Sequence, residues 1–165
     1  YVPAGQAPRY RDAVMARLMA MAEAAAESDA IIGHENERGI YGDLPERCLD
    51  IIRTINRPQW RTIFDPANYV LDGVRPFSEA YPLLEDSIAY LHIKDAHRAT
   101  GTICPAGEGD GQVREVLAAL KGRGYDGFLS LEPHLSMAGR SGGITQPDLF
   151  RKAIRALKAL LQELP

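Results

Sequence analysis

The sequence predicts an α/β fold in which helices cover a parallel sheet, and two observations carry this prediction. Segments with apolar residues at helical spacing alternate along the chain with short apolar runs. Each of these short runs ends in an acidic or imidazole residue. Strands that alternate with helices are typical of βαβ units, whose strands are parallel and covered on both faces.

The first elements are a helix, a strand and a second helix. Residues 10–27 have apolar side chains at helical spacing, with charged residues between them, which predicts an amphipathic helix. The apolar run 30–33 predicts a buried strand that ends at residues 34–37. Asp43 is expected to cap the next helix, because Pro45 follows in the position of a first helical turn.

The rest of the chain continues the same alternation. The predicted elements are a strand at 60–64, a helix at 76–85 broken near Pro82, a strand at 88–95, a helix from 113 that stops at the glycines 122 and 124, a strand at 128–131 and a helix at 150–164.

The strand ends carry the chemistry of this sequence. Glu35, Asp65, His92 and Glu132 each stand at the carboxyl end of a predicted strand. One such residue is usually a helix cap or a solvated side chain, but the carboxyl ends of parallel strands meet at one edge, so four are expected to converge. Carboxylates with an imidazole suit Mn²⁺, Mg²⁺ or Co²⁺ better than an ion that seeks thiolates, and Zn²⁺ is also compatible.

Composition narrows the class of protein. The chain has 165 residues, of which 45% are hydrophobic and 25% charged, as expected for one globular domain over residues 1–165. A net charge of -3 gives no electrostatic footprint for nucleic acid, and no apolar run is long enough to span a bilayer. Cys48 and Cys104 lie far apart and form no disulfide framework, which favours a reducing cytoplasm.

Several further polar residues are candidates for a substrate-binding site. His97 and His134 follow strand ends, where contact with a substrate and simple solvation are equally compatible with the pattern, whereas strand alternation points His34 toward the helices as a packing residue. Glu108 lies in the loop PAGEGDG, which is not a phosphate-binding motif.

Five motifs resemble a known family when they are taken in order. HENERGIYGD, FDPANYV, YLHIKDAH, PAGEGDG and GYDGFLSLEPH resemble the xylose-isomerase-like TIM-barrel superfamily of sugar phosphate isomerases and epimerases, which includes inosose dehydratase and the ketose 3-epimerases. The resemblance implies one divalent metal ion, held by Glu35, Asp65, His92 and Glu132 at the ends of strands five to eight.

The resemblance also implies residues that bind substrate. Arg98, six residues after His92, is similar to a substrate-binding arginine of the epimerases, and Asn68 stands where many epimerases have a second histidine. His97 and Glu108 complete the expected substrate-binding set. The KDAH sequence after His92 is more similar to the inosose-dehydratase-like branches.

The length indicates part of a barrel. The resemblance implies a full (β/α)8 barrel of about 250 residues. The sequence of this chain instead predicts four strands, four helices that follow them and an extra helix in front. The fold class is therefore an α/β, parallel TIM-barrel type, present as a C-terminal half barrel. The unpaired outer strands of such a half barrel are expected to pair with another chain, which predicts a homo-oligomer, or with partner residues missing from this sequence.

The predicted function is a divalent-metal-dependent sugar or polyol isomerase or epimerase that transfers a proton at a carbon α to a carbonyl. The ion would polarise the substrate oxygens, while Glu35 and Glu132 would take and return the proton. The alternatives are an inosose-type dehydratase and a catalytically silent metal-binding fragment. An endonuclease of the same superfamily would need a richer ligand cluster for three zinc ions.

Overall fold

A parallel sheet forms the centre of the structure, a computed structural model that describes residues 1–3, 5–135 and 145–165. The strands are β1 (Ile32–Glu35), β2 (Trp60–Phe64), β3 (Ile88–Ile93), β4 (Asp95–His97), β5 (Thr102–Cys104) and β6 (Phe128–Leu131). Four of them form the main sheet in the order β1-β2-β3-β6, with every pairing parallel. This confirms the predicted parallel α/β architecture.

Helices connect the strands and cover one face of the sheet. They are α1 (Arg11–Ala24), α2 (Pro45–Ile55), α3 (Pro66–Leu71), α4 (Tyr81–Leu84), α5 (Val113–Gly122) and α6 (Pro147–Gln162), with a π-helical turn at Pro76–Ala80 before α4. Within the described residues, none of these helices has the length and apolarity needed to cross a membrane.

The two faces of the sheet differ in burial because side chains alternate along a strand. On β2, Trp60, Thr62 and Phe64 are buried, whereas Arg61 and Ile63 are only half-buried. The buried face packs on the helices in one large core. Its fully buried members include Phe64, Tyr69, Leu84, Leu91, Ile93 and Val116.

The opposite face of the sheet, which we call the inner face, corresponds to the interior of a barrel. Tyr90 and Ser130 lie on it, joined by a hydrogen bond of 2.6 Å between their hydroxyl groups. The Tyr90 ring packs against Phe128 with centroids 5.8 Å apart, yet Phe128 remains 75% exposed. The inner face is thus only partly covered by the described residues.

A smaller cluster joins α1 to α2 near the start of the chain. Arg11 donates to both carboxylate oxygens of Asp50 at 2.6 and 2.7 Å. The Tyr41 hydroxyl also donates to Asp50, at 2.6 Å. These charged groups hold the N-terminal helix against the second helix.

Three local predictions were wrong. The first strand spans Ile32–Glu35, later than expected, because it pairs along its length with β2. Asp43 does not cap α2, since its carboxylate accepts from Arg47 at 2.6 Å and Leu44 takes the N-cap position without a side-chain hydrogen bond. The strand expected at 88–95 ends at Ile93, where the chain turns into the β4–β5 hairpin.

Candidate metal centre

The carboxyl edge of the main sheet brings the four proposed ligands together. Glu35, Asp65, His92 and Glu132 each offer one ligand atom, and these atoms all lie within 4.8 Å of one another. The sheet order makes the outer strands β1 and β6 supply the two glutamates, while the inner strands supply Asp65 and His92. The glutamates therefore flank the aspartate and the histidine.

Asp65 is held in place by hydrogen bonds to its side chain and to its backbone. Its side chain is fully buried and caps α3, because Oδ1 accepts from the Asn68 backbone N–H at 3.0 Å. The buried Asn36 side chain donates to the Asp65 carbonyl and accepts from the Asp65 N–H, both at 2.9 Å. These contacts leave Asp65 Oδ2 as the carboxylate atom that faces the cluster.

His92 lies among the three carboxylates. Its Nδ1 is 2.9 Å from Glu35 Oε1, 3.5 Å from Glu132 Oε2 and 3.9 Å from Asp65 Oδ2. The hydrogen bond with Glu35 raises the pKa of His92 against the effect of its partial burial. Burial acts to raise the pKa of Glu35, but the His92 hydrogen bond and the nearby positive charges outweigh it and lower that pKa.

Lys94 is a charged residue at the cluster that lies within the strand predicted at 88–95 and for which the sequence indicated no role. Its side chain is 3% exposed, and its Nζ lies 2.8 Å from Asp65 Oδ2 and 2.5 Å from Glu132 Oε2. Its position two residues after His92 was the available signal, because alternation puts both side chains on the same side of the strand. Burial raises the pKa of Asp65 even against the attraction of Lys94.

The donor set fits a divalent cation. Three carboxylates and one imidazole nitrogen form a mixed oxygen and nitrogen site of the kind that Mn²⁺, Mg²⁺ and Co²⁺ accept. Asp65 Oδ2 is buried and receives no well-directed hydrogen bond from the described residues, despite the ion pair with Lys94. A buried, under-satisfied carboxylate oxygen aimed into such a cluster is what a metal ligand requires.

Asn68 is the expected substrate-binding residue that the structure brings to the cluster. It is 4% exposed, and its Nδ2 donates to Glu35 Oε1 at 3.2 Å. Asn68 therefore contacts one ligand through its side chain and another, Asp65, through its backbone N–H.

The other expected substrate-binding residues lie in surroundings of their own. The Arg98 guanidinium donates to the carbonyls of Gly73 and Val74, at 2.5 and 2.8 Å. His97 is exposed at the end of β4, and Glu108 is 3.4 Å from Lys152 Nζ. A role in substrate binding stays a prediction for all three.

Asp95 organises the loop beside the cluster, a role that the sequence pattern did not indicate. Its carboxylate is fully buried and accepts from the backbone N–H groups of Gly107, Gly109 and Gly111, at 2.9, 3.1 and 2.7 Å. The Ala96 N–H adds a fourth contact at 2.8 Å. The PAGEGDG segment is thus wrapped around one anion of the chain itself.

Comparison with known proteins places this architecture in a family. The xylose isomerase-like TIM barrel family matches residues 2–160. Fructoselysine 3-epimerase of Escherichia coli O157:H7 is 30% identical over 101 residues, which cover 57% of this chain and 34% of that protein. The chain belongs to the xylose isomerase-like TIM barrel family, which confirms the predicted resemblance.

Solved structures agree on the fold. A D-tagatose 3-epimerase-like protein superposes with a TM-score of 0.74 at 25% identity, over 98% of this chain and 59% of that one. A xylose isomerase-like TIM barrel protein from Mycobacterium smegmatis in complex with magnesium gives a TM-score of 0.66 at 19% identity, over 100% and 54% of the two chains. The chain spans 41% and 34% of the two curated relatives that it matches, in agreement with a partial barrel.

Proposed function

We propose that this chain carries the metal centre of a sugar or polyol isomerase or epimerase that transfers a proton at a carbon α to a carbonyl. The observation that carries the proposal is the convergence of Glu35, Asp65, His92 and Glu132 at one sheet edge. Similarity to an epimerase of fructoselysine supports the substrate class. The magnesium bound by a structural neighbour supports a divalent ion, and the mixed oxygen and nitrogen donor set favours Mn²⁺, Mg²⁺ or Co²⁺ over Zn²⁺.

The four side chains divide the work between holding the ion and moving the proton. All four side chains would hold the ion: Asp65 and His92, on the inner strands, would serve mainly as ligands, while Glu35 and Glu132, on the outer strands, would also take and return the proton. A bound divalent ion supplies polarisation of the carbonyl and hydroxyl oxygens of the substrate. The substrate proton must lie within hydrogen-bonding reach of one glutamate carboxylate for the transfer to occur.

Substrate recognition is proposed to involve Asn68, Arg98, His97 and Glu108. Asn68 acts by orienting Glu35, to which its amide donates. The exposed groups of His97 and Glu108 lie on the hairpin and loop that follow β3, and Arg98 is tied to the turn after α3. Binding through His97, Arg98 and Glu108, which are exposed, would occur at the surface rather than in an enclosed pocket.

We further propose that the inner face is completed by another set of strands, supplied by a second copy in a homo-oligomer. Strands β1 and β6 lie at the two edges of the main sheet. Ile31, directly before β1, is 58% exposed, and Phe128, the first residue of β6, is 75% exposed. Cys48 and Cys104 are free thiols, which is compatible with the proposed cytoplasmic location.

The proposed chemistry is tested by hydrogen exchange with solvent. Ketoses, their phosphates and inososes are incubated in D₂O with MnCl₂ and the oligomer that completes the barrel of this chain, and exchange is followed by NMR. We expect metal-dependent exchange of one hydrogen α to the carbonyl. Glu132→Gln should lower the rate by roughly 10² to 10⁴-fold with a much smaller loss of metal affinity, because it removes the base but keeps an oxygen ligand.

The matched control is Glu115→Gln, since Glu115 is an exposed residue of α5 and the chemical change is identical. Its exchange rate should equal that of the parent protein. Exchange accompanied by loss of water would assign a dehydratase of the inosose type instead. No exchange with any of these substrates by a complete, metal-loaded barrel would leave the catalytically silent metal-binding module as the better description.

A further inference from the structure

Lys94 is the most deeply buried cationic side chain at the carboxyl edge of the sheet among the described residues. Its side chain is 3% exposed, and the removal of an ammonium group from water is costly unless the protein supplies paired and hydrogen-bonding partners. The partners here are two proposed metal ligands, Asp65 at 2.8 Å and Glu132 at 2.5 Å. Lys94 therefore belongs to the centre and not to the surrounding core.

The contacts divide the three carboxylates between two nitrogen-bearing side chains. Lys94 Nζ contacts Asp65 and Glu132, whereas His92 Nδ1 contacts Glu35 at 2.9 Å. Carboxylates brought this close repel one another when no positive charge stands between them. The chain itself thus provides a contact for each acidic ligand.

We propose that Lys94 is a positioning residue that acts as the permanent cation of the metal centre. It holds Asp65 and Glu132 in the cluster in the absence of a metal ion, and it opposes the binding of a divalent ion to the same two oxygens. Three carboxylate charges are then balanced by one ammonium group and one divalent ion together. This inference rests on the metal centre of the proposed function.

Two consequences distinguish this role from ordinary packing. Without metal, loss of the Lys94 charge should destabilise the fold, because the acidic ligands then repel one another in a poorly solvated site. With metal, the loss should be repaired by the ion, because a divalent cation replaces the missing positive charge. A packing role would give a loss that metal leaves unchanged.

The experiment is thermal unfolding of the 165-residue chain in EDTA and in excess MnCl₂, together with calorimetric Mn²⁺ titration. In EDTA, Lys94→Met should melt roughly 10 °C below the parent protein, as expected when one partner of a buried ion pair is removed. Excess MnCl₂ should recover most of that difference, and Mn²⁺ should therefore bind roughly 100-fold more tightly to Lys94→Met than to the parent.

Lys152→Met is the matched control, because Lys152 is 52% exposed and pairs only loosely with Glu108 at 3.4 Å. It should melt and bind Mn²⁺ as the parent protein does. Equal melting of Lys94→Met and the parent protein in EDTA would overturn the inference, whatever the metal affinity. Absence of Mn²⁺ binding by the parent protein would instead overturn the proposed function.

A variant that does not fold in EDTA still decides the question. Recovery of folded Lys94→Met, or of Lys94→Gln, on refolding in MnCl₂ supports the inference, since the ion then replaces the charge. Failure of both variants to fold in MnCl₂ overturns it, because the shape of the lysine and not its charge would be what the site needs.

Discussion

Asp65 has two roles: its side chain caps α3, and it is a proposed metal ligand. The sequence predicted its position because a strand pattern ends directly before it, and the same reasoning located Glu35, His92 and Glu132. Asn36 and Lys94 were not predicted, although both contact Asp65, Asn36 at its backbone and Lys94 at its carboxylate. Asp65 lies 29 residues from each of them, and although strand alternation places Lys94 on the same side as His92, it does not reveal a contact across that separation.

The first prediction concerns Asp65 and His92, the proposed metal ligands on the inner strands. Asp65→Ala and His92→Ala should abolish stoichiometric Mn²⁺ binding, because each removes a buried or half-buried donor that cannot be replaced by its neighbours. Asp86→Ala, at a site 91% exposed, is the control and should bind as the parent does. Calorimetric titration measures all three, and parent-like affinity in Asp65→Ala would refute the ligand assignment.

A second prediction at the residue scale uses Asp50. The hydrogen bonds from Arg11 hold the pKa of Asp50 at about 2, below its ordinary value of 3.8. Because the folded-state pKa is depressed, the stabilisation is complete above about pH 4 and disappears as the pH falls toward 2. Asp50→Asn should therefore lower the free energy of unfolding by about 1 kcal/mol at pH 7, after allowance for partial solvent screening.

Urea unfolding of the parent and of Asp50→Asn at several pH values measures this difference. The two proteins should converge between pH 4 and pH 2. Asp148→Asn is the matched control, because that carboxylate is 94% exposed and, among the residues the structure describes, pairs with Arg151 on the same helix alone. A difference that persists unchanged at pH 2 would show that the side-chain amide, and not the lost charge, destabilises the variant.

At the scale of elements, long periodic segments were predictable and short ones were not. The helices α1, α2, α5 and α6 and the four main strands all have apolar patterns of several residues, and the structure contains each of them. The helix α3 and the β4–β5 hairpin were missed, because six residues or three are too few to establish a period. Asp65 stabilises α3 and Asp95 stabilises the hairpin, because their carboxylates accept hydrogen bonds from backbone N–H groups.

The loop around Asp95 gives the prediction for this scale. A Cβ at Gly109 would lie 2.6 Å from the carbonyl oxygen of Ala96 and 2.6 Å from Asp95 Oδ1, so Gly109→Ala must displace the loop. We expect a loss of about 2 kcal/mol in the free energy of unfolding. Gly122→Ala is the control, because a Cβ there meets no atom within 4 Å and alanine favours the helix.

Urea unfolding compares the two alanine variants with the parent protein. Equal stability of Gly109→Ala and Gly122→Ala would contradict the role of Asp95 as the anchor of this loop. Asp95→Ala should destabilise by about 3 kcal/mol, because three glycine N–H groups lose their acceptor.

At the scale of the whole molecule, the open inner face is the main structural feature. The half barrel was predictable because the number of strand patterns falls short of eight, but the exposure of the inner face depends on which side chains cover it. Phe128→Glu places a charge at the β6 edge of this face and should dissociate an oligomer into monomers. Leu83→Glu, on the helical side at 39% exposure, is the control.

Light scattering over a concentration series measures the assembly. The parent protein and Leu83→Glu should have the mass of a dimer, whereas Phe128→Glu should have the mass of one chain. A monomeric parent at the highest concentration would show that the inner face stays open without a partner.

The two unpaired edges also determine how such an assembly ends. A contact between β6 of one copy and β1 of the next is heterologous, so the same contact can repeat indefinitely unless the rotation between copies closes a ring. Eight strands close a barrel, and the main sheet supplies four. A half-turn per copy therefore gives a closed pair with twofold symmetry about the barrel axis, whereas a rotation that closes no ring leaves a growing end and yields filaments.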